Sequence, residues 1–374
     1  MDDVSTILEP YDLAGLKLSS RIVMAPLTRS RATPGSDAPQ ALNATYYQQR
    51  ATAGLIISEA TQISATAKGY AWTPGIYSPE QIAGWQLVTD VVHAKQGKIF
   101  AQLWHVGRFS HPALQPNGQL PVAPSEIAPP PGSKTIIETG EFVELGMPRA
   151  LREEEISHII KDYQHAAQAA IEAGFDGVEI HAANGYLIQQ FMSDASNHRT
   201  DRYGGSIRNR LRFALEVVSA VIMAIGAHRT GIRLSPVSTA NGAVDSAPYP
   251  LYQQLVEELD KVQLAYIHVI EGVTGGSIEV PDGFDFQALR AKFRGAWMVN
   301  NGYDRQRAID AIRSGYADLV AFGKPFIANP DLVQRLADNA PLNQPDPITF
   351  YGGGAKGYTD YPCWSSLKNK DIYE

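Results

Sequence analysis

Eight short apolar, β-branched runs recur along the chain with helical stretches between them, and no other feature restricts the fold so strongly. They are Ile22–Ala25, Leu55–Ser58, Lys98–Leu103, Gly177–Ile180, Gly231–Leu234, Ala265–Ile270, Ala296–Val299 and Asp318–Phe322. Each run is continuous instead of alternating, as expected of parallel strands covered on both faces. The segments between them carry helix signals. Ser78-Pro79-Glu80-Gln81 offers an N-cap, a proline at the first helical position and a capping-box glutamine. Asn329-Pro330-Asp331 offers a similar start near the C-terminus, and Glu153–Ala173 has apolar positions at helical spacing before Gly174. Eight strands alternating with helices leave two architectures, a closed barrel or an open doubly wound sheet. We expect an α/β fold, a single (β/α)8 TIM barrel, with residues 1–374 as one domain.

Three segments fall outside that repeat. Residues 1–20 would form a hairpin lid at the barrel bottom, turning near Ala14-Gly15. Residues 104–150 form a proline- and glycine-rich insertion after strand three, too long for a plain βα loop. Residues 340–374 form a tail with glycine at 352, 353, 354 and 357. The formal G-x-G-x-x-G match there follows no strand and opens no helix, so it does not mark a dinucleotide fold.

Composition narrows the function. The 374 residues carry 32 Lys and Arg against 39 Asp and Glu, a formal charge of −7, with no basic run. A nucleic-acid partner is not expected. The N-terminus lacks the charged and apolar regions of a secretory signal, and no 18-residue apolar run suggests a membrane span. The single cysteine, Cys363, fits a reducing compartment. The expectation is a cytoplasmic protein.

In a barrel, chemistry gathers at the C-terminal ends of the strands. Those ends carry Pro26-Leu27-Thr28, Glu59-Ala60, Gln102, His181 with Asn184 and Tyr186, Arg233, Asn300-Asn301-Gly302 and Gly323-Lys324-Pro325. No carboxylate or His/Cys cluster has metal spacing, so no metal site is expected. The loops after strands seven and eight are the usual barrel phosphate site. Their glycines would let backbone N–H groups approach an anion, although the same glycines also suit plain tight turns. Arg233 could stabilise an anionic ring system or make a structural ion pair. Gln102 could read an amide-like edge. A phosphate cradle, an amide reader and a cation together suggest flavin mononucleotide. His181 and Asn184 could polarise one carbonyl oxygen, and Tyr186 could donate a proton.

The motifs carrying these residues are long and ordered. His181-Ala-Ala-Asn-Gly-Tyr-Leu-Ile-Gln-Gln-Phe and Ser196-Asn-His-Arg-Thr-Asp-Arg-Tyr-Gly-Gly-Ser resemble the Old Yellow Enzyme family of FMN ene-reductases. So do Met24-Ala-Pro-Leu-Thr-Arg-Ser-Arg, Ile57-Ser-Glu-Ala-Thr, Phe100-Ala-Gln-Leu-Trp-His-Val-Gly-Arg, Arg233-Leu-Ser-Pro and Phe322-Gly-Lys-Pro-Phe. The resemblance spans roughly residues 7–363 and looks strongest to the bacterial branch acting on activated alkenes, maleimides and nitrate esters.

The resemblance implies tight, non-covalent FMN. Thr28 would approach the flavin N5/O4 side, with Pro26 and Leu27 supporting the ring and Ala60 reaching O4 through its backbone. Gln102 would read the pyrimidine edge and Arg233 would face N1 and O2. Asn301, Gly302, Gly323 and Lys324 would hold the phosphate, and Tyr351 would cover the mouth. It further implies that NADPH or NADH reduces the flavin, which then reduces a small electrophilic alkene. His181 and Asn184 would bind the substrate oxygen, Tyr186 would protonate Cα, and Tyr70 and Trp104 would line the pocket. Some relatives carry histidine at Asn184 and arginine at Lys324, so lysine would leave more of the phosphate contact to backbone N–H groups. The expected assembly is a monomer or weak homodimer. The insertion and the region Gly272–Ile278 are expected to shape specificity. The rival readings are a non-catalytic flavin-binding protein and a Schiff-base aldolase using Lys324.

Overall fold

A computed structural model describes residues 4–365. All eight apolar runs are strands: β1 (Ile22–Met24), β2 (Leu55–Gln62), β3 (Ile99–Trp104), β4 (Gly177–Ala182), β5 (Thr230–Leu234), β6 (Tyr266–Ile270), β7 (Ala296–Asn300) and β8 (Leu319–Phe322). Each pairs in parallel with its sequence neighbours, and β8 pairs with β1, closing the barrel. The strands are buried along their whole length, which is why their sequences are continuous and not alternating.

Helices Ala41–Gln49, Pro79–His93, Glu153–Glu172, Arg212–Ile225, Pro248–Lys261 and Arg305–Arg313 supply most of the outer ring. The Ser78 hydroxyl accepts from the Gln81 backbone N–H, completing the expected capping box. Gly174 takes φ +88° past the end of Glu153–Glu172, a conformation a side chain would resist. The start near Asn329 differs from expectation. That helix is Leu332–Asp338, because Asn329 instead bonds Pro325 O and the Asn343 backbone, while Asp331 pairs with Arg335.

The N-terminal hairpin pairs Tyr11–Leu13 with Leu16–Leu18 around Ala14-Gly15. Leu13 and Leu18 are fully buried against Val23, Leu55, Phe100 and Met298, so the hairpin plugs the bottom of the lumen. At the other end, the insertion folds a second hairpin, Lys134–Ile136 with Phe142–Glu144. Lys68 anchors it, with Nζ 2.6 Å from Asp37 and 2.5 Å from Glu138.

The tail also returns to this end. Buried Arg29 donates to Phe350 O at 2.9 Å and Gly357 O at 2.8 Å, and Arg31 donates to Thr349 O at 2.9 Å and Gly354 O at 3.0 Å. Arginine's fork of donors suits a segment that offers several carbonyls at once. Tyr351, in the clamped segment, lines a cavity with Thr28, Tyr70 and Tyr186.

Candidate active site

The strand ends bring most of the singled-out residues to one place. In the parallel register, His181 on β4 lies beside Arg233 on β5, which lies beside His268 on β6. One layer below, Glu179 lies beside Gln102. A shift in register between Ile57 and Ala60 in β2 interrupts the ladder where Glu59 and Ala60 reach the mouth.

Polar groups in the lumen are mutually fixed. Gln102 Nε2 donates to Glu179 Oε1 at 2.8 Å, leaving the amide oxygen as an acceptor. His268 Nδ1 lies 2.8 Å from the other carboxylate oxygen. Burial pushes the Glu179 carboxyl up, but His268 and Arg233 outweigh it, so the group is held below its usual range and stays ionised. An ionised carboxylate only accepts, so His268 donates from Nδ1. Arg233 is 6% exposed and donates from Nη2 to Asn300 at 2.9 Å, while its buried Nε–H has no protein partner. A buried cationic donor on β5 and an amide acceptor on β3 both face the lumen with hydrogen-bonding capacity to spare. They fit the pyrimidine edge of a flavin, which offers N3–H to an amide oxygen and takes charge at N1 and O2.

His181, at 3% exposed, accepts the Ala183 N–H at Nδ1, 3.3 Å away. Burial, helped by the charge of Arg233, pushes the imidazole well below its usual value. It is therefore neutral, and with Nδ1 accepting, its proton sits on Nε2 as a donor. Asn184 stands at φ +57°, held by Ser235 Oγ on its N–H and Asn241 Nδ2 on its carbonyl. Tyr186 Oη lies 3.3 Å from Tyr70 Oη. Burial first, and then Tyr70, raises the Tyr186 phenol well above 10, so it carries its proton at any ordinary pH. Trp104, 1% exposed, stacks on Tyr70 at 5.7 Å and meets Tyr186 edge-on at 5.0 Å, backing both phenols.

Thr28, Tyr70, Ile136, Phe142, Tyr186 and Tyr351 help line a cavity of about 240 Å³ at the mouth. A larger hollow of about 720 Å³ lies between Glu271, Tyr303, Arg307 and Tyr316, under the loops that follow β6 and β7. Pro26 and Leu27 are half-buried beside Thr28, and Ala60 is buried. Gly323 opens the helix Lys324–Ala328, and Lys324 is exposed. Asn301 differs from a simple anion contact. Its side-chain amide donates to Glu271 O at 2.6 Å and Val273 O at 3.0 Å, so it ties down the loop after β6. Gly302, next to it, is exposed at φ +65°.

Sequence reasoning passed over Glu179 and His268. Their signal was present: a carboxylate and an imidazole inside otherwise apolar strands. Among the described residues no helix is long and apolar enough to cross a membrane.

Residues 6–343 match the model of the NADH:flavin oxidoreductase / NADH oxidase family. The chain is 47% identical over 362 residues to 12-oxophytodienoate reductase 1 of Oryza sativa subsp. japonica, covering 95% of this chain and 92% of that one. It superposes on morphinone reductase in complex with tetrahydroNAD with a TM-score of 0.90 and 49% identity, over 96% and 97% of the two chains. For the Old Yellow Enzyme homologue from Zymomonas mobilis the values are 0.91 and 42%, over 95% and 99%.

Proposed function

The chain belongs to the NADH:flavin oxidoreductase / NADH oxidase family, that of the Old Yellow Enzymes, and we propose that His181, Asn184 and Tyr186 perform alkene reduction in it. It is an FMN-dependent ene-reductase that draws on NADPH or NADH. Its substrates are small molecules with a C=C bond conjugated to a carbonyl or nitro group, with nitrate esters as a further class.

Gln102 would accept from the flavin N3–H, and Arg233 would place its open Nε–H toward N1 and O2. Pro26, Leu27, Thr28 and the Ala60 backbone would border the ring. Asn301, Gly302, Gly323 and Lys324 would surround the phosphate, with Asn301 acting through its backbone because its side-chain amide is already engaged. When bound, FMN supplies the hydride, taken from the nicotinamide and delivered to Cβ of the alkene.

The protein's part is orientation and proton supply. His181 Nε2–H and the Asn184 amide bind the substrate oxygen and draw electron density from Cβ. Preplaced donors of this kind contribute about 3–4 kcal/mol each where they are removed one at a time. Tyr186 Oη gives its proton to Cα, so the alkene gains one hydride and one proton, and solvent restores the phenol. Tyr70, half-buried, and Trp104, buried, would wall the substrate side of the site. We read the enzyme as one catalytic domain, a cytoplasmic monomer or weak homodimer.

The observation that carries this reading is that His181 and Tyr186 meet at one strand end, ring centroids 5.1 Å apart, beside buried Arg233 on the adjoining strand, whose Nε–H has no protein partner. The test is stopped-flow oxidation of the reduced holoenzyme by 2-cyclohexenone, comparing wild type with His181→Ala and Asn184→Ala. Slower oxidation with retained FMN supports the assignment; unchanged rates in both variants overturn it.

A further inference from the structure

An asparagine that reads a substrate oxygen must present its NH2 end. The two ends of the amide have nearly the same shape, so a neighbour has to choose between them. Asn184 has such a neighbour. Thr274 Oγ1 donates to Asn184 Oδ1 at 2.7 Å, across 90 residues of sequence.

Ser238, 4% exposed, sets the direction of that bond. Its Oγ accepts the backbone N–H of Ala240 at 3.3 Å and of Thr274 at 3.2 Å. Backbone N–H groups cannot reverse, so both lone pairs of Ser238 are taken. Its own proton must point outward, and Thr274 Oγ1 lies 3.0 Å away. Thr274 accepts that proton and passes its own to Asn184 Oδ1. The relay runs one way, and the Asn184 NH2 is what remains for a ligand.

We propose that Thr274 is a positioning residue for substrate binding: its hydroxyl, oriented by Ser238, fixes the Asn184 amide so that the site presents two donors to one acceptor oxygen. The inference rests on the reading that Asn184 binds the substrate oxygen. It selects for carbonyl and nitro groups, and against groups that would need an acceptor from Asn184. The Thr274 hydroxyl is not the loop's sole anchor, since the Thr274 backbone N–H also bonds Ser238 Oγ at 3.2 Å. Asn301 holds the same loop through Glu271 O and Val273 O, so removing the Thr274 hydroxyl leaves the backbone anchored.

The test is a double-mutant cycle on the FMN-loaded enzyme with Thr274→Val, Asn184→Ala and the pair. The readouts are KM and kcat for 2-cyclohexenone, and calorimetric affinity for the non-reducible ketone cyclohexanone. One hydrogen bond's net worth predicts that Thr274→Val raises KM and weakens cyclohexanone affinity about fivefold. Thr274→Ser should restore them, and Thr274→Val should cost nothing further once Asn184 is alanine. Thr274→Ala removes the hydroxyl a second way and should match valine. If Asn184→Ala weakens ketone binding but Thr274→Val does not, or if the two losses add, the inference is wrong while the site reading stands. If Asn184→Ala itself changes nothing, the site reading fails and takes the inference with it.

Discussion

The phenolic oxygens of Tyr70 and Tyr186 lie 3.3 Å apart, with Trp104 stacked on one ring and edge-on to the other. The contact holds the Tyr186 hydroxyl at the cavity wall, and burial keeps it protonated. Tyr186→Phe should retain FMN and the rate of flavin reduction by NADPH. Alkene reduction should slow by about 10²–10⁴, the usual worth of a general acid. Stopped-flow oxidation by a panel of enones measures this, and equal rates across the panel would remove Tyr186 from the proton step.

A second expectation concerns pH. His181 is held neutral by burial, and by Arg233 and His268, well below the ordinary imidazole value. Its Nε2–H donor is therefore already present at pH 8 and unchanged at pH 6. Ketone affinity should be flat across that interval. Burial raises the Glu59 carboxyl at the mouth to about 7, so a break in cyclohexanone affinity near pH 6.5 that persists in Glu59→Gln would mean that His181 titrates there and that its environment has been misread.

FMN should stabilise the fold through Arg233. The buried Arg233 Nε–H finds no partner among the described protein groups and is the donor we assign to the flavin. Ligand at a hundredfold excess over its Kd adds about 2.7 kcal/mol by mass action alone. Removing FMN should lower Tm, and Arg233→Gln should weaken FMN binding and shrink that difference. An Arg233→Gln protein that binds FMN as tightly as wild type would contradict the assignment of the open donor.

The acid side of the stability curve should contain His105. Burial lowers it to about 3, while Gly107 donates its N–H to Nδ1 at 3.1 Å. The unfolded chain takes up this proton near the ordinary imidazole value, about 6.5, and the folded chain does not. The stabilisation is therefore complete above that value and is lost as pH falls from 6.5 toward 3, at up to about 1.4 kcal/mol per pH unit. Urea melts of wild type and His105→Asn at pH 7, 5.5 and 4.5 should show a shallower loss in the variant. Parallel curves would exclude His105 as a contributor.

The barrel was legible because parallel strands buried on both faces leave unbroken apolar runs, and all eight stood out at Ile22 through Phe322. Ends were harder to place. Leu55–Ser58 continues to Gln62 because the register shift near Ala60 lets polar residues stay in the ladder. The helix near Asn329 starts later because Asn329 is spent on the tail. Site residues near strand ends, such as His181 and Arg233, follow from the rule that chemistry gathers there, whereas β3 runs on past Gln102 to Trp104 and leaves the glutamine one layer inside the lumen. Groups acting through space left weaker traces. Thr274 reaches Asn184 from the loop after β6, and Ser238 orients it from the loop after β5. No local pattern links positions so far apart. Asn301 shows the converse: its place beside Gly302 suggested an anion contact, yet its amide ties down a neighbouring loop.

The most direct test is an anaerobic absorbance spectrum of the purified holoenzyme, recorded before and after NADPH and again after 2-cyclohexenone. The account predicts a flavin spectrum that bleaches with NADPH and returns in full when the enone is added, with cyclohexanone as product. A flavin that bleaches but is not reoxidised by any activated alkene, or a protein that stays colourless when FMN is supplied, would contradict it.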